Sequence, residues 1–229
     1  KTNRHMDETL PGVDWSITQG VSVMSEAKRN ECTAPPPCWP SGRFRCIVAD
    51  PPWQYRVSHR NGAAAKHYPT MSVDALCAMP VSGVAHEDCA LFLWATWPQL
   101  IEALRVIEAW GFRYVTGLPW VKTTEPPALD LFGDLRARSA YGTGYWVRGC
   151  SEPILIARRG KVALPLANYA GLLAERMQHS RKPDSLHDVA DTLPGPRLEL
   201  FARRARPGWT VWGNEVEANS VIKPTSENA

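Results

Sequence analysis

A short apolar segment that runs directly into two prolines is the feature that most constrains this chain. Phe44–Ala49 is rich in residues that favour β structure, and Asp50, Pro51 and Pro52 follow it at once. Proline fixes φ and has no N–H to donate, so regular structure does not continue through this pair. The pattern predicts a buried strand that ends in a rigid turn, with Asp50 placed where the strand stops.

Apolar runs and amphipathic stretches alternate along the rest of the chain. The run at residues 89–95 is apolar on both faces and predicts a central parallel strand. Ser72 is predicted to cap a short helix that reaches Met79, and residues 98–110 have helical spacing with Gly111 just past their end. A further helix is predicted at 183–192, and further strands at 114–121, 153–157, 197–202 and 209–212. This alternation indicates an α/β protein.

The length of 229 residues allows one full-sized core with appendages. Residues 1–42 are polar and proline-rich, which predicts an irregular arm, while 43–217 form the main domain and 218–229 a C-terminal tail. Two segments, 56–67 and 123–145, contain glycine, arginine and proline and are longer than ordinary connections. Long loops above a sheet are often functional.

Composition narrows the protein class only slightly. The net charge of +3 permits a nucleic-acid partner without requiring one. The cysteines form no C-x-x-C pair and the histidines have no ligand-like spacing, so we expect reduced thiols and no metal site. No stretch approaches the ~18 apolar residues of a membrane span, and no secretion signal is evident. These features predict a soluble cytoplasmic protein, nucleoid-associated if bacterial.

The residues after the first strand suit a reaction at an aromatic amino group. The amino group of adenine is a poor nucleophile because its lone pair is delocalised into the ring. A catalyst that accepts both N–H bonds frees that lone pair, and Asp50 with the Pro51 carbonyl can supply the acceptors. Consecutive prolines hold this carbonyl in one direction without competing donors.

Methyl transfer would also make the amine transiently cationic, and a fixed carboxylate stabilises that charge. Trp53 offers a flat face on which an extruded base can stack, worth ~1–3 kcal/mol per base. No metal or covalent intermediate is required. The predicted catalytic residues are Asp50, Pro51, Pro52 and Trp53.

Seven blocks of sequence carry a wider resemblance. They are Ala49-Asp50-Pro51-Pro52-Trp53, Tyr68-Pro69-Thr70-Met71, Leu91-Phe92-Leu93-Trp94, Trp120-Val121-Lys122-Thr123, Ser180-Arg181-Lys182-Pro183, Glu199-Leu200-Phe201-Ala202-Arg203 and Trp212-Gly213-Asn214-Glu215. In these blocks, and in their order, the chain resembles the N6-adenine methyltransferase family. That family includes the catalytic subunit of the eukaryotic messenger-RNA adenosine methyltransferase and many bacterial and phage DNA enzymes.

The resemblance implies a Rossmann-like, S-adenosylmethionine-dependent methyltransferase fold, in which helices flank a central, mostly parallel sheet. It also implies a circularly permuted motif order, because the catalytic motif precedes the cofactor-binding strand. The cofactor-binding residues it implies are Asp50, Pro51, Lys182, Arg203, Asn214 and Glu215. Lys182 would meet the cofactor's carboxylate, Arg203 would lie beside its ribose, and Asn214 with Glu215 would bind ribose and adenine. Taken alone, Lys182 would better fit a solvated position just before a helix, and Pro183 at the first helical position is compatible with both interpretations.

Further positions match the family around the target base, and each has a structural alternative. They are Tyr68, Trp120, Lys122, Glu152 and Ser180. Trp120 can instead belong to the core, and Lys122 with Glu152 can form a surface pair. Arg204 and Arg206 suit phosphate contacts or a solvated face.

Three longer segments also have family counterparts or a fitting composition. Segment 56–67 is basic and suits phosphate contacts, although a mobile solvated loop is about equally compatible. Segment 123–145 resembles a second gating loop over the base. Segment 164–179 corresponds to a region of subunit contact, so a homodimer or a partner subunit is among the expected partners.

Several functions remain open at this point. The sequence favours a site-specific, adenine-specific DNA methyltransferase, since its texture is nearer the compact bacterial and phage members. An RNA N6-adenosine methyltransferase would use the same chemistry. A non-catalytic nucleic-acid-binding partner subunit is disfavoured by the intact Asp50 and Lys182, and a small-molecule methyltransferase by the two long basic loops. No separate target-recognition domain is evident, so the loops, the arm or another protein must read the target sequence.

Overall fold

A central β-sheet organises the protein. The computed structural model describes residues 38–54, 70–124, 128–129, 135–136, 139–142, 146–162, 173–176, 182–214 and 216. The strands in these residues are β1 (Phe44–Ala49), β2 (Ala85–Trp94), β3 (Arg113–Thr123), β4 (Ala128–Leu129), β5 (Leu135–Arg136), β6 (Ser151–Arg159), β7 (Leu173–Arg176), β8 (Arg197–Leu200) and β9 (Trp209–Trp212). The α-helices there are α1 (Val73–Cys77), α2 (Val81–Val84), α3 (Leu100–Ala109) and α4 (Ser185–Asp191), with a 3-10 helix at Trp97–Gln99.

The main sheet has seven strands in the order β7-β3-β6-β2-β1-β8-β9. Four pairings are parallel, namely β1 with β2, β1 with β8, β8 with β9 and β3 with β7. β6 runs antiparallel to both of its neighbours, β2 and β3. The sheet is therefore mixed but mostly parallel, which confirms the predicted fold class. β4 and β5 form a separate antiparallel ribbon.

Strand β2 differs from its prediction. It begins at Ala85 rather than Cys89, and it is parallel to β1 but antiparallel to β6. The prediction that this strand has parallel neighbours is therefore right for β1 and wrong for β6. A strand buried on both faces needs apolar side chains whichever way its neighbours run, so the apolar run carried no information on direction.

The core lies on both faces of β1. Ile47 and Ala49 belong to one hydrophobic cluster, and Cys46 and Val48 to another, as the alternation of side chains along a strand requires. The helices contribute Leu76, Ala103, Val106 and Ile107 to the first cluster and Leu186, Val189 and Ala190 to the second. Helices α1 and α3 therefore cover one face of the sheet, and α4 covers the other.

The helix ends follow the predicted capping residues. The Ser72 hydroxyl accepts the Ala75 N–H at 3.2 Å and caps α1. Gly111 has φ +80°, the left-handed conformation that glycine adopts without strain, directly after the C-cap of α3. Helix α4 is shorter than predicted at both ends. Among the described helices, none is long and apolar enough to cross a bilayer.

Two predicted loops contain short strands. Segment 123–145 includes the β4–β5 ribbon, and segment 164–179 includes β7, which extends the sheet beyond β3. These strands have only two to four residues, and they lack the sustained alternation that identifies a longer strand. Their pairing partners, rather than a local pattern, specify them.

One edge of the sheet collects an end of each of its seven strands, including β7, which runs parallel to β3. The carboxyl ends of β1, β2, β8 and β9 lie there because these strands are parallel. β6 begins at this edge, since Ile154 pairs with Trp94, and β3 ends there, since Trp120 pairs with Glu152. Ligands of open α/β sheets bind beyond the carboxyl ends of the strands. A functional site is therefore expected at this edge.

Candidate active site

The turn after β1 is held by backbone hydrogen bonds. The Pro51 carbonyl accepts the Trp53 N–H at 2.9 Å, and the Pro52 carbonyl accepts the Met71 N–H at 2.8 Å. The expectation that the Pro51 carbonyl has no competing donor is therefore wrong, because the chain turns the Trp53 N–H back onto it. A carbonyl oxygen has two lone pairs, so this bond uses one and fixes the direction of the other.

Trp53 serves the fold in this conformation. Its side chain is 6% exposed and belongs to the hydrophobic core, and its indole N–H donates to the Trp94 carbonyl at 3.0 Å. The neighbouring Gln54 carbonyl accepts an amide N–H of Gln99 at 2.9 Å. The tryptophan that was expected to offer a stacking face thus joins the turn to the end of β2.

A chain of four charged groups begins at Asp50. The Lys182 ammonium lies 3.4 Å from the Asp50 carboxylate and 2.7 Å from one oxygen of Glu152. The other oxygen of Glu152 accepts a hydrogen bond from Lys122 at 2.5 Å. Their side chains are only 16–27% exposed. Lys122 and Glu152, predicted at the target base or as a surface pair, and Lys182, predicted at the cofactor, are therefore parts of one partly buried network with Asp50.

Two tryptophan rings form the floor under this network. The rings of Trp94 and Trp120 meet edge to face, with centroids 5.6 Å apart. The Lys182 ammonium lies 4.9 Å from the Trp94 ring centroid, and that of Lys122 lies 5.1 Å from the Trp120 ring centroid. A cation over an aromatic face is attracted by its quadrupole. Trp94 was not predicted as a site residue, although its position at the end of the strand beside β1 was a usable signal.

The charges in the network shift one another's pKa values. Burial raises the pKa of the Asp50 carboxyl above its ordinary value, and the nearby Lys182 ammonium offsets this only in part. Burial acts in the same direction on Glu152, but Lys182 and Lys122 outweigh it and lower its pKa. Burial lowers the pKa of Lys182, whereas Asp50 and Glu152 more than reverse this. Of the two carboxylates in the network, Asp50 is therefore the one that more readily takes up a proton.

The end of β8 lies beside Asp50, and β9 is the next strand of the sheet. The Asp50 N–H donates to the Leu200 carbonyl at 3.4 Å, and the Arg203 guanidinium is close enough to lower the pKa of Asp50. Asn214 is exposed directly after β9, and the predicted Glu215 lies outside the described residues. Trp39 packs edge-on against Trp212 at 5.1 Å, so part of the predicted arm contacts the main core.

These groups suit S-adenosylmethionine chemically. The molecule carries a carboxylate, an ammonium, ribose hydroxyls and an adenine. The Lys182 ammonium has three N–H bonds, and its two carboxylate partners leave one for an anionic ligand. Asp50 can accept from an ammonium, and the Asn214 amide can both donate and accept. The donor set therefore fits the cofactor.

Gly213 is required where β9 reaches the site. A Cβ built on this residue would lie 2.1 Å from the Ala202 carbonyl oxygen and 2.7 Å from the Ala202 nitrogen, which are backbone atoms. Because backbone cannot move aside cheaply, we expect Gly213→Ala to lower the free energy of unfolding by about 1–3 kcal/mol. Urea unfolding measures this change.

Gly83→Ala is the matched control for Gly213→Ala. Gly83 lies in α2, and a Cβ added to it would meet nothing within 4 Å, so alanine should be neutral or stabilising there. Equal unfolding free energies for the two variants would contradict the close approach of β9 to Ala202.

The remaining predicted residues fall into two groups. Arg204 and Arg206 both pair with Asp184, at the N-cap of α4, so these arginines have protein partners at the surface. Tyr68, Ser180 and segment 56–67 lie outside the described residues. The family positions that the structure brings together are thus Asp50, Trp120, Lys122, Glu152 and Lys182.

Comparison with known proteins finds relatives that align with most of this chain. The chain is 30% identical to the type II methyltransferase M.MunI of Mycoplasma sp, over 82% of this chain and 84% of that protein. It is 28% identical to the N(6)-adenosine-methyltransferase MT-A70-like protein of Drosophila melanogaster, over 95% of this chain. It is 27% identical to the N(6)-adenosine-methyltransferase catalytic subunit METTL3 of Mus musculus, again over 95% of this chain. The chain spans only 36–37% of the length of these two animal proteins.

The family profile that matches is MT-A70, and the match runs over residues 44–215 of the 229. It begins at the first residue of β1 and includes Asp50, Glu152, Lys182 and Asn214. The chain belongs to the MT-A70 family of methyltransferases, whose members use S-adenosylmethionine.

Proposed function

We propose that this protein transfers a methyl group from S-adenosylmethionine to the N6 amino group of adenine in DNA. The observation that carries the proposal is the Asp50 carboxylate, held at the sheet edge beside the fixed Pro51 carbonyl and 3.4 Å from the Lys182 ammonium. Both acceptors needed by an adenine amino group are then adjacent in sequence. Family membership supports the same chemistry.

The chain's own groups have separate tasks in this reaction. S-adenosylmethionine, when bound, would supply an electrophilic methyl group and leave as S-adenosylhomocysteine, whose sulfur keeps the electron pair of the broken C–S bond. Asp50 accepts one N–H of the amino group, and the second lone pair of the Pro51 carbonyl accepts the other. These two hydrogen bonds reduce delocalisation of the nitrogen lone pair into the ring, so that the lone pair can attack the methyl group. After transfer the amine must lose a proton, and Asp50 can receive it because burial raises its pKa.

Exposed aromatic residues near this edge favour a nucleic-acid substrate. The backbone N–H of Lys122 donates to the Cys150 carbonyl. The segment just before Cys150 carries Trp146, which is 98% exposed. The Arg148 guanidinium lies 5.6 Å from the ring centroid of exposed Tyr141. Exposed aromatic and arginine side chains can stack on bases. Because the network side chains are mostly buried, an adenine must leave its base stack to reach Asp50.

DNA is favoured over RNA by the extent of the matches. The type II methyltransferase aligns over most of both chains, whereas the two animal N(6)-adenosine-methyltransferases are much longer than this chain. RNA is the second candidate, since those animal proteins align with nearly all of this chain. We further assign residues 43–217 to the methyltransferase domain with permuted motif order, because Asp50 precedes Lys182, Arg203 and Asn214.

A substrate comparison tests the proposal. Initial rates of radiolabelled methyl transfer would be measured on duplex DNA, single-stranded DNA and RNA of matched sequence. The highest kcat/KM on DNA supports the proposal, and the highest on RNA supports the second candidate. Cofactor binding by calorimetry without transfer to any polymer would favour a partner subunit that binds without catalysis.

The methylation rate should fall with acidification at a higher pH than an ordinary aspartate would give. The reaction requires ionised Asp50, and burial raises the pKa of this carboxyl. The rate is therefore full above the raised pKa and is lost as pH falls through it. A pH profile of kcat/KM measures this limb. An acid limb at the ordinary aspartate pKa of about 3.9 would contradict the role of burial.

A further inference from the structure

We propose that Glu152 is a positioning residue for methyl transfer: it holds the Lys182 ammonium against Asp50 and does not itself bind the target base. The inference rests on the proposed function, because Asp50 is the acceptor that it serves. The observation behind it is that both oxygens of Glu152 are occupied by lysines, one by Lys122 and one by Lys182.

The distances show which partner locates the Lys182 ammonium. It lies 2.7 Å from Glu152, a charge-assisted hydrogen bond, but 3.4 Å from Asp50. Lysine has a long flexible side chain whose ammonium is fixed only by its partners. The shorter contact therefore fixes the ammonium, and Asp50 receives a cation that Glu152 holds in place.

Glu152 is itself well fixed. It pairs with Trp120 in the antiparallel β3–β6 ladder, and its side chain is 16% exposed. Lys122, two residues after Trp120 on the same strand, neutralises part of its charge. The backbone of Glu152 is thus fixed by strand pairing, and one of its carboxylate oxygens binds Lys122. The other oxygen holds Lys182 beside Asp50, at the end of β1.

Removing the Glu152 charge would change Asp50 in two opposite ways. The charged groups that act on Asp50 are Lys182, Glu152 and Arg203. If Lys182 stayed in place without Glu152, Asp50 would lose a repulsive neighbour and would ionise more easily. If Lys182 moved away, Asp50 would lose its nearest cation and would ionise less easily. If Glu152 positions Lys182, removing its charge therefore raises the pKa of Asp50. If Glu152 only repels Asp50, removing its charge lowers that pKa.

The test is Glu152→Gln in the full chain, read by the pH profile of methyl transfer. We expect kcat to fall about 10- to 100-fold and the acid limb to move to higher pH. Glu152→Asp, which keeps the charge on a shorter side chain, should restore part of the rate and move the limb back. Glu108→Gln makes the same chemical change on the exposed face of α3 and should leave both unchanged. An unchanged limb, or one at lower pH, would overturn the inference while the proposed function stands.

A second readout needs no activity. The acylation rate of Lys182 by an amine-reactive reagent would be followed by mass spectrometry in wild type and Glu152→Gln, with exposed Lys161 as internal control. We expect at least a several-fold faster reaction at Lys182 in the variant, together with a faster reaction at Lys122, which loses the same carboxylate, and no change at Lys161. Equal rates at Lys182 would overturn the inference. If wild type methylates no polymer, the proposed function fails, and this readout still decides whether Glu152 holds Lys182.

Discussion

Asp50→Asn is expected to lower the methylation rate by about 10²- to 10³-fold without unfolding the protein. Asparagine has nearly the same shape, but it lacks the negative charge that stabilises a developing cation, and it cannot receive the proton. Its amide N–H bonds would also oppose those of adenine. Single-turnover transfer of radiolabelled methyl measures the effect.

The stability of the same variant provides the control. Burial raises the pKa of Asp50, so the folded state favours the protonated form, and ionisation of this group at neutral pH opposes folding. Asparagine removes that opposition, while Lys182 keeps its bond to Glu152. We therefore expect an equal or higher Tm at neutral pH. A strongly reduced Tm would mean that lost activity reflects unfolding, and an unchanged rate would exclude Asp50 from catalysis.

Lys182→Met is expected to reduce both stability and activity. The substitution removes the nearest cation from Asp50 and one of the two lysines from Glu152 in a partly buried setting, and hydrogen bonds to charged groups contribute about 1.5–3 kcal/mol each. We expect a loss of about 2–3 kcal/mol in the free energy of unfolding, discounted for the 26% exposure of the side chain. The methylation rate should fall about 100-fold. Urea unfolding and methyl transfer at saturating cofactor measure the two effects.

Lys182→Arg separates charge from geometry. Arginine keeps the cation, so stability should largely return, but its planar fork does not reproduce an ammonium placed between Asp50, Glu152 and the Trp94 ring. Full activity with arginine would show that any cation suffices there. Wild-type stability in Lys182→Met would contradict the ion-pair network itself.

Strands β1 and β9 could be predicted because their residues carry local information. β1 and β9 have the predicted bounds, since Phe44–Ala49 is apolar and the chain then meets two prolines, and Trp209–Trp212 alternates between buried and half-buried side chains. β7 and the β4–β5 ribbon could not be predicted in the same way. Their short sequences become strands only through a partner that is distant in the chain.

The residues of the candidate site also differ in how far the sequence around them predicts their contacts. Asp50 was predicted from the turn chemistry of its neighbours, and Lys182 and Glu152 from resemblance. Neither source predicted that Glu152 binds both lysines, because that arrangement depends on the β3–β6 register. Trp53 was expected to meet a base, but its indole N–H reaches the Trp94 carbonyl once β2 lies beside β1. Contacts between strands therefore determine the partners of Glu152 and Trp53, which the sequence motifs alone do not specify.

The most direct test of the central claim is the chemical position of the transferred methyl group. Wild type and Asp50→Asn would be incubated with S-adenosylmethionine carrying a radiolabelled methyl group and with adenine-containing DNA, and the DNA would be digested to nucleosides. If Asp50 catalyses transfer to the N6 amino group, wild type gives label in N6-methyladenine and the variant about 10²-fold less. Label on cytosine or on another adenine nitrogen, or equal labelling by both proteins, would contradict this claim.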